Sequence, residues 1–214
     1  MPAPARPALP ALVGGRACLD FANTVGPRRP NPGMAPHDYT PGYPELVAWA
    51  ANAELLAPGQ QRRLTAAAEA DPEGAAAVYQ HARRLREAIY QTFTALAHGQ
   101  PAPREALAMI EDAYLEALRH GHLRAVPAGL DWCWPDRGPL EQVLWPITRS
   151  AVDLAVSGRL ARIKQCPGDE GQCGWLFIDT SKNATRRWCS MGTCGSRVKS
   201  QRQAARLRAT RAAN

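Results

Sequence analysis

Histidine disappears from this chain after His122, and lysine is missing until Lys164. The first gap keeps histidine out of the cysteine-rich end, where a catalytic zinc would need mixed ligands and an open position. No stretch of about twenty apolar residues exists, which excludes a membrane-crossing helix. The opening MPAPARPALP carries proline where a secretory signal needs an unbroken apolar core. Residues 1–11 therefore read as a disordered leader, and the chain as cytoplasmic, with its thiols kept reduced. No Ser-His-Asp order, P-loop or dinucleotide fingerprint occurs, so the expectation is a protein that is not an enzyme. Aromatic residues make up only 7% of the 214 positions.

What the chain does have is unevenly placed. Its net charge is +7, yet residues 1–158 hold 14 arginines against 16 acids. Residues 159–214 hold 12 basic side chains against 3 acidic ones, so the whole positive excess lies in the last quarter. That asymmetry is a footprint for polyanion binding, the alternative being a basic tail that is only a solvated end.

Periodicity divides the first 158 residues into helices with minor strands. Apolar and polar residues alternate from Gly14 to Val25, which suggests a short strand or a strand leading into a helix. A Pro/Gly/Asn-rich loop follows to about Pro44. Tyr43-Pro44-Glu45 opens a helix, with a short one expected over 60–70, and Asp71-Pro72-Glu73 caps a long one reaching Ala97. Leu107, Ile110, Tyr114, Leu115 and Leu118 mark the apolar face of the next, over 103–119. Residues 122–126 and 130–134 read as a hairpin, and Pro146 should kink or split a helix over 139–157. The fold expected is mainly α with minor β, a helical domain over 12–158 followed by a small module over 159–214.

Four of the six cysteines stand in that module as Cys166-x6-Cys173 and Cys189-x4-Cys194. Two close pairs on turn-forming residues are the usual way four thiolates close a structural zinc shell, with one ion per chain. Iron on the same thiolates ranks lower, since nothing nearby supplies a redox partner. Cys18 and Cys133 read as buried free thiols. From about Thr193 the chain can continue as a basic helix. Arg186, Arg187, Arg197, Lys199, Arg202, Arg206 and Arg208 are the candidate contacts to double-stranded DNA, with RNA as the alternative partner.

The run Cys173-Gly-Trp-Leu-Phe-Ile-Asp179-Thr-Ser-Lys-Asn-Ala-Thr-Arg186-Arg187-Trp188-Cys189-Ser-Met-Gly-Thr-Cys194-Gly-Ser196-Arg-Val-Lys199 closely resembles the CGNR-type zinc finger of bacteria. The resemblance implies a treble-clef-like module in which the four cysteines hold zinc and the module binds DNA. Ser196 stands where that family has its name-giving asparagine. Upstream, Gly15-Arg-Ala-Cys18-Leu-Asp20-Phe21-Ala-Asn23-Thr24, Leu46-Val-Ala-Trp49 and Leu85-Arg86-Glu87-Ala88-Ile89-Tyr90 resemble the ABATE domain of stress-induced transcription regulators. A DNA-binding regulator is thereby implied, its helical domain sensing a signal or mediating assembly, a homodimer included. The rivals are an RNA- or ribosome-associated protein and a zinc-stapled interaction module. Asp20, Asn23 and Thr24 are the polar residues that could line a pocket for a small-molecule effector.

Overall fold

The computed structural model describes residues 9–127, 129–168, 172–201 and 203–204. The chain is mainly helical. Among the described residues the helical domain is built from α1 (Ala17–Ala22), α2 (Tyr43–Asn52), α3 (Pro58–Ala70), α4 (Pro72–Ala97), α5 (Arg104–Arg119) and α6 (Trp145–Val156). Three two-stranded antiparallel ribbons join them: β1–β2 (Val25–Gly26, His37–Asp38), β3–β4 (His122–Val126, Gly129–Cys133) and β5–β6 (Ile163–Gln165, Leu176–Ile178).

Helix α4 is the axis of the structure, touching α1, α2, α3, α5 and the β5–β6 ribbon. Its start follows from Asp71, whose carboxylate accepts the Gly74 N–H at 2.9 Å, with proline in the first turn. Val78, Ala82, Leu85, Ile89 and Phe93 recur at helical spacing and are buried. Pro146 divides its segment in two: a 3₁₀ turn over Leu140–Leu144 ends where α6 begins at Trp145. Proline suits that first turn because its missing N–H has no carbonyl to find.

Three expectations shift. The segment after Gly14 is a helix first and a strand afterwards, because the apolar residues Cys18, Leu19, Phe21 and Ala22 are buried around a single turn. The short helix expected over 60–70 starts earlier, at Pro58, and α2 ends at Asn52. In α5 the buried face is Ala106, Ile110, Ala113 and Ala117, while Leu107 and Leu115 are exposed. Small alanines let α5 lie close to α4 and α6, so the face with larger residues turns outward.

The module is no separate body. Along β5–β6 the pleat alternates sides. Ile163, Leu176 and Ile178 join the helical core, whereas Phe177 packs with Cys166 and Cys189 on the far side. Leu9 is half-buried and Pro10 buried, although both fall in the expected leader. Among the described residues no helix is long and apolar enough to cross a membrane.

Candidate metal centre and nucleic-acid interface

Cys166 leaves the end of β5 and Cys173 stands before β6, so the ribbon holds the first pair. Gly168 has φ +59° and lies so close to Cys173 that a Cβ would meet the cysteine's own Cβ at 2.5 Å. Gly174, at φ +68°, would drive a Cβ to 2.7 Å from Arg28 Cβ. Both turns therefore need glycine. The Cys166 N–H donates to the Trp175 carbonyl at 2.8 Å and the Gly174 N–H to the Cys166 carbonyl at 3.0 Å, which ties the knuckle closed. In the second pair Cys189 precedes a π turn over Met191–Gly195 and Cys194 lies within it, after which residues 196–201 are helical.

The four sulfurs all lie within 4.8 Å of one another. Cys173 and Cys194 are 3.8 and 3.7 Å from Cys189. A tetrahedron with zinc–sulfur bonds of about 2.3 Å has edges of about 3.8 Å, so these separations fit zinc and are far too long for a disulfide. The sulfurs also bias one another's protons. Hydrogen bonding within the cluster pulls the Cys166 and Cys194 thiols down and pushes Cys173 and Cys189 up. A divalent cation removes that competition, because all four can ionise on it. Its chemistry there is structural: four thiolates leave no open position.

A second layer fixes the loop between the pairs. Asp179 is buried and accepts from Lys164 Nζ at 2.6 Å, from the Ser181 N–H at 2.9 Å and from the Arg186 N–H at 3.0 Å. Burial alone would raise its pKa, but Lys164 and Ser181 outweigh that and hold the carboxyl well below its ordinary value. Lys164 also donates to the carbonyls of Ala184 and Arg186, at 2.5 and 3.1 Å.

The basic residues separate into two groups. Arg186, a candidate contact to nucleic acid, is engaged with protein in the fold. Its guanidinium lies 4.4 Å over the Phe177 ring and donates to the carbonyls of Val13, Ile178, Trp188 and Cys189. It is a brace for the metal loop. Arg187, Arg197 and Lys199 are exposed, as is Lys182, which charge counting alone did not single out. Arg187 lies over Trp188, 5.4 Å from the ring centre. Arg202, Arg206 and Arg208 lie outside the described residues. Ser196 begins the helix and donates back to the Gly192 and Thr193 carbonyls, at 2.9 and 3.0 Å. Its hydroxyl thus closes the π turn instead of capping N–H groups.

The helical domain grips the module. The Asn23 amide donates to the Leu176 carbonyl at 2.8 Å and accepts the Leu176 N–H at 2.9 Å. Backbone N–H groups of Arg28 and Arg29 donate to the carbonyls of Cys173 and Gln172, at 2.8 and 3.0 Å. Arg28 is itself held by a 2.8 Å ion pair with Glu87 and by the Tyr90 ring, 4.2 Å away. None of these clamps could be read from spacing, since Asn23 and Leu176 are 153 residues apart.

The three candidate pocket residues are thus engaged with protein. Asn23 holds Leu176, Thr24 donates to the Phe21 carbonyl and accepts from Arg86, and Asp20 accepts the Gly14 N–H at 2.7 Å. Burial pushes the Asp20 carboxyl up from 3.8 to about 6, with the Gly14 and Val13 N–H groups offsetting part of the rise. The folded chain then binds this proton more tightly than the unfolded one, so ionising Asp20 costs stability as pH rises from 3.8 through about 6. Asp20→Asn keeps an oxygen for Gly14 and should flatten that part of the stability–pH curve. Thermal melts of both proteins across the window check this; parallel curves would count against it.

A helical domain carrying a closed four-thiolate site and a basic helix defines a zinc-finger protein. Comparison with family models gives the particular family. Residues 15–158 match the ABATE model, described as "Putative stress-induced transcription regulator", and residues 162–207 match the CGNR zinc finger. The chain belongs to the ABATE family and ends in a CGNR zinc finger. No curated protein matches it.

Proposed function

We propose that this protein is a DNA-binding transcription regulator. Its zinc site sets the start of a basic helix on DNA, and the helical domain senses a signal or mediates assembly. The observation that carries the reading is the division of the module's cations: Lys164 and Arg186 turn inward to brace the metal loop, while Arg187, Arg197 and Lys199 stay exposed beside it. Arg187 lies over the Trp188 ring with its charge open to solvent, and phosphate is the chemistry all three suit. The +9 excess of residues 159–214 points the same way. Phosphate contacts give affinity without sequence preference, so the bases read remain a matter for the arginines of the helix.

Removing Arg186 from the candidate set leaves six basic residues. Six phosphate contacts give a slope of log affinity against log salt of roughly −5. Arg197→Glu should weaken binding to duplex DNA, and Arg186→Lys should do so only by loosening the zinc loop. Fluorescence anisotropy on a mixed-sequence duplex, repeated over a salt series, tests this. A flat salt response, or structured RNA outcompeting duplex at equal salt, defeats the reading.

A further inference from the structure

Beside the cysteines lies a half-open groove of about 530 Å³. That volume is within the range of small-molecule sites, which run roughly from 300 to 1,000 Å³. One wall comes from the helical domain, with Pro27, Met34 and Tyr39; the other comes from the module, with Trp175. Three of the four zinc-site cysteines, Cys173, Cys189 and Cys194, form the floor. Trp175 already spends its Nε1–H on the Val25 carbonyl at 2.9 Å, so its indole offers the groove an apolar surface. Tyr39 meets that indole edge-on at 6.2 Å.

The charges around the groove narrow the ligand. No Asp, Glu or Lys is among its described lining residues, and Arg197 is its one formal cation. Zinc on four thiolates carries a formal charge of about −2, which repels an anion lying on the sulfurs. Arg197 offsets part of that field for a cation, which must also give up its hydration against mostly apolar walls. An uncharged molecule meets neither penalty and gains from leaving water.

We propose that this groove binds a small uncharged apolar molecule, and that its occupancy strengthens the module's hold on zinc. The molecule touches both the Met34 side and the zinc sulfurs, so it bridges the helical domain to the metal. It covers Cys173 and Cys194, the two half-exposed members of the site, against chelators. This names the class of signal for the regulator reading, and rests on that reading only for the step to DNA.

The test uses the full-length, zinc-loaded protein and the uncharged fluorophore N-phenyl-1-naphthylamine. Its emission should rise saturably with one site per chain. Ala11→Trp and Met34→Trp fill the groove from exposed positions. Each should weaken binding about tenfold, equivalent to ~1.4 kcal/mol, while zinc content and melting temperature stay at wild-type values. Saturating dye should also slow zinc transfer to a colorimetric chelator, because whatever binds the folded form protects it. Non-saturable emission, or wild-type affinity in both variants, overturns the site. Equal affinity for the anionic 1-anilinonaphthalene-8-sulfonate overturns the uncharged assignment, and unchanged zinc transfer overturns the link to the metal. None of these readouts contains DNA, so failure here leaves the DNA reading standing, and loss of the DNA reading leaves the groove.

Discussion

Cys189→Ser should strip the protein of zinc, from one ion per chain to a trace, and unfold the module around it. Serine keeps the size of the side chain but removes a soft, ionisable donor, and a hydroxyl does not take its place on zinc near neutral pH. The loss is large because the module has little else. Its own buried cluster is Cys166, Phe177 and Cys189, with Val13, Trp175 and Trp188 packed around them. Structural zinc in small fingers contributes on the order of 10 kcal/mol or more. The damage should not stop at the metal, because Ile163, Leu176 and Ile178 on the same ribbon belong to the helical core. A marked fall in melting temperature, with zinc measured on the same sample, is the expected result. Zinc retained at full stoichiometry, or a melting temperature equal to wild type, would contradict the role assigned to the cysteines.

The second large effect comes from a residue far from the metal in sequence. Asn23 is 1% exposed and satisfies both the N–H and the C=O of Leu176. Asn23→Ala leaves two backbone groups buried without partners, each costing about 1–3 kcal/mol. The expected loss is roughly 2–4 kcal/mol, read as a lower urea midpoint with an unchanged slope. Leu176 is three residues from Cys173, so the variant should also give up zinc faster to a competing chelator. A midpoint within the error of wild type, or zinc release at the wild-type rate, would mean that the helical domain does not hold the metal loop.

Those two residues show what could be read from the chain and what could not. Cysteine spacing among turn residues is a local signal, and it carried the metal site intact. The Asp71 cap and the burial rhythm of α4 are local in the same sense, since both follow from neighbours within a turn or two. The contacts of Arg186 were not legible because charge in a sequence has no direction. Its guanidinium points inward only because four carbonyls, one from Val13, converge on it in the fold. The face of α5 was misread for a related reason: large apolar residues suggest a core, but close packing against α4 and α6 selected the alanines. Asn23, Arg28 and the groove at Met34 and Trp175 depend on contacts across well over a hundred residues, where periodicity carries no information.

One family model covers the helical domain and another the finger, and the two share a structural element. The β5–β6 ribbon is shared property: one face completes the helical core and the other carries the metal cluster. A change in the helical domain at Asn23 or Arg28 therefore bears directly on the loop that holds Cys173.

X-ray absorption at the zinc edge on the full-length protein tests the central claim most directly. The sulfur separations of 3.7 and 3.8 Å predict one zinc per chain with four sulfur neighbours, at about 2.3 Å. Zinc with fewer sulfurs and added nitrogen or oxygen ligands, or a folded protein purified without metal, would contradict it.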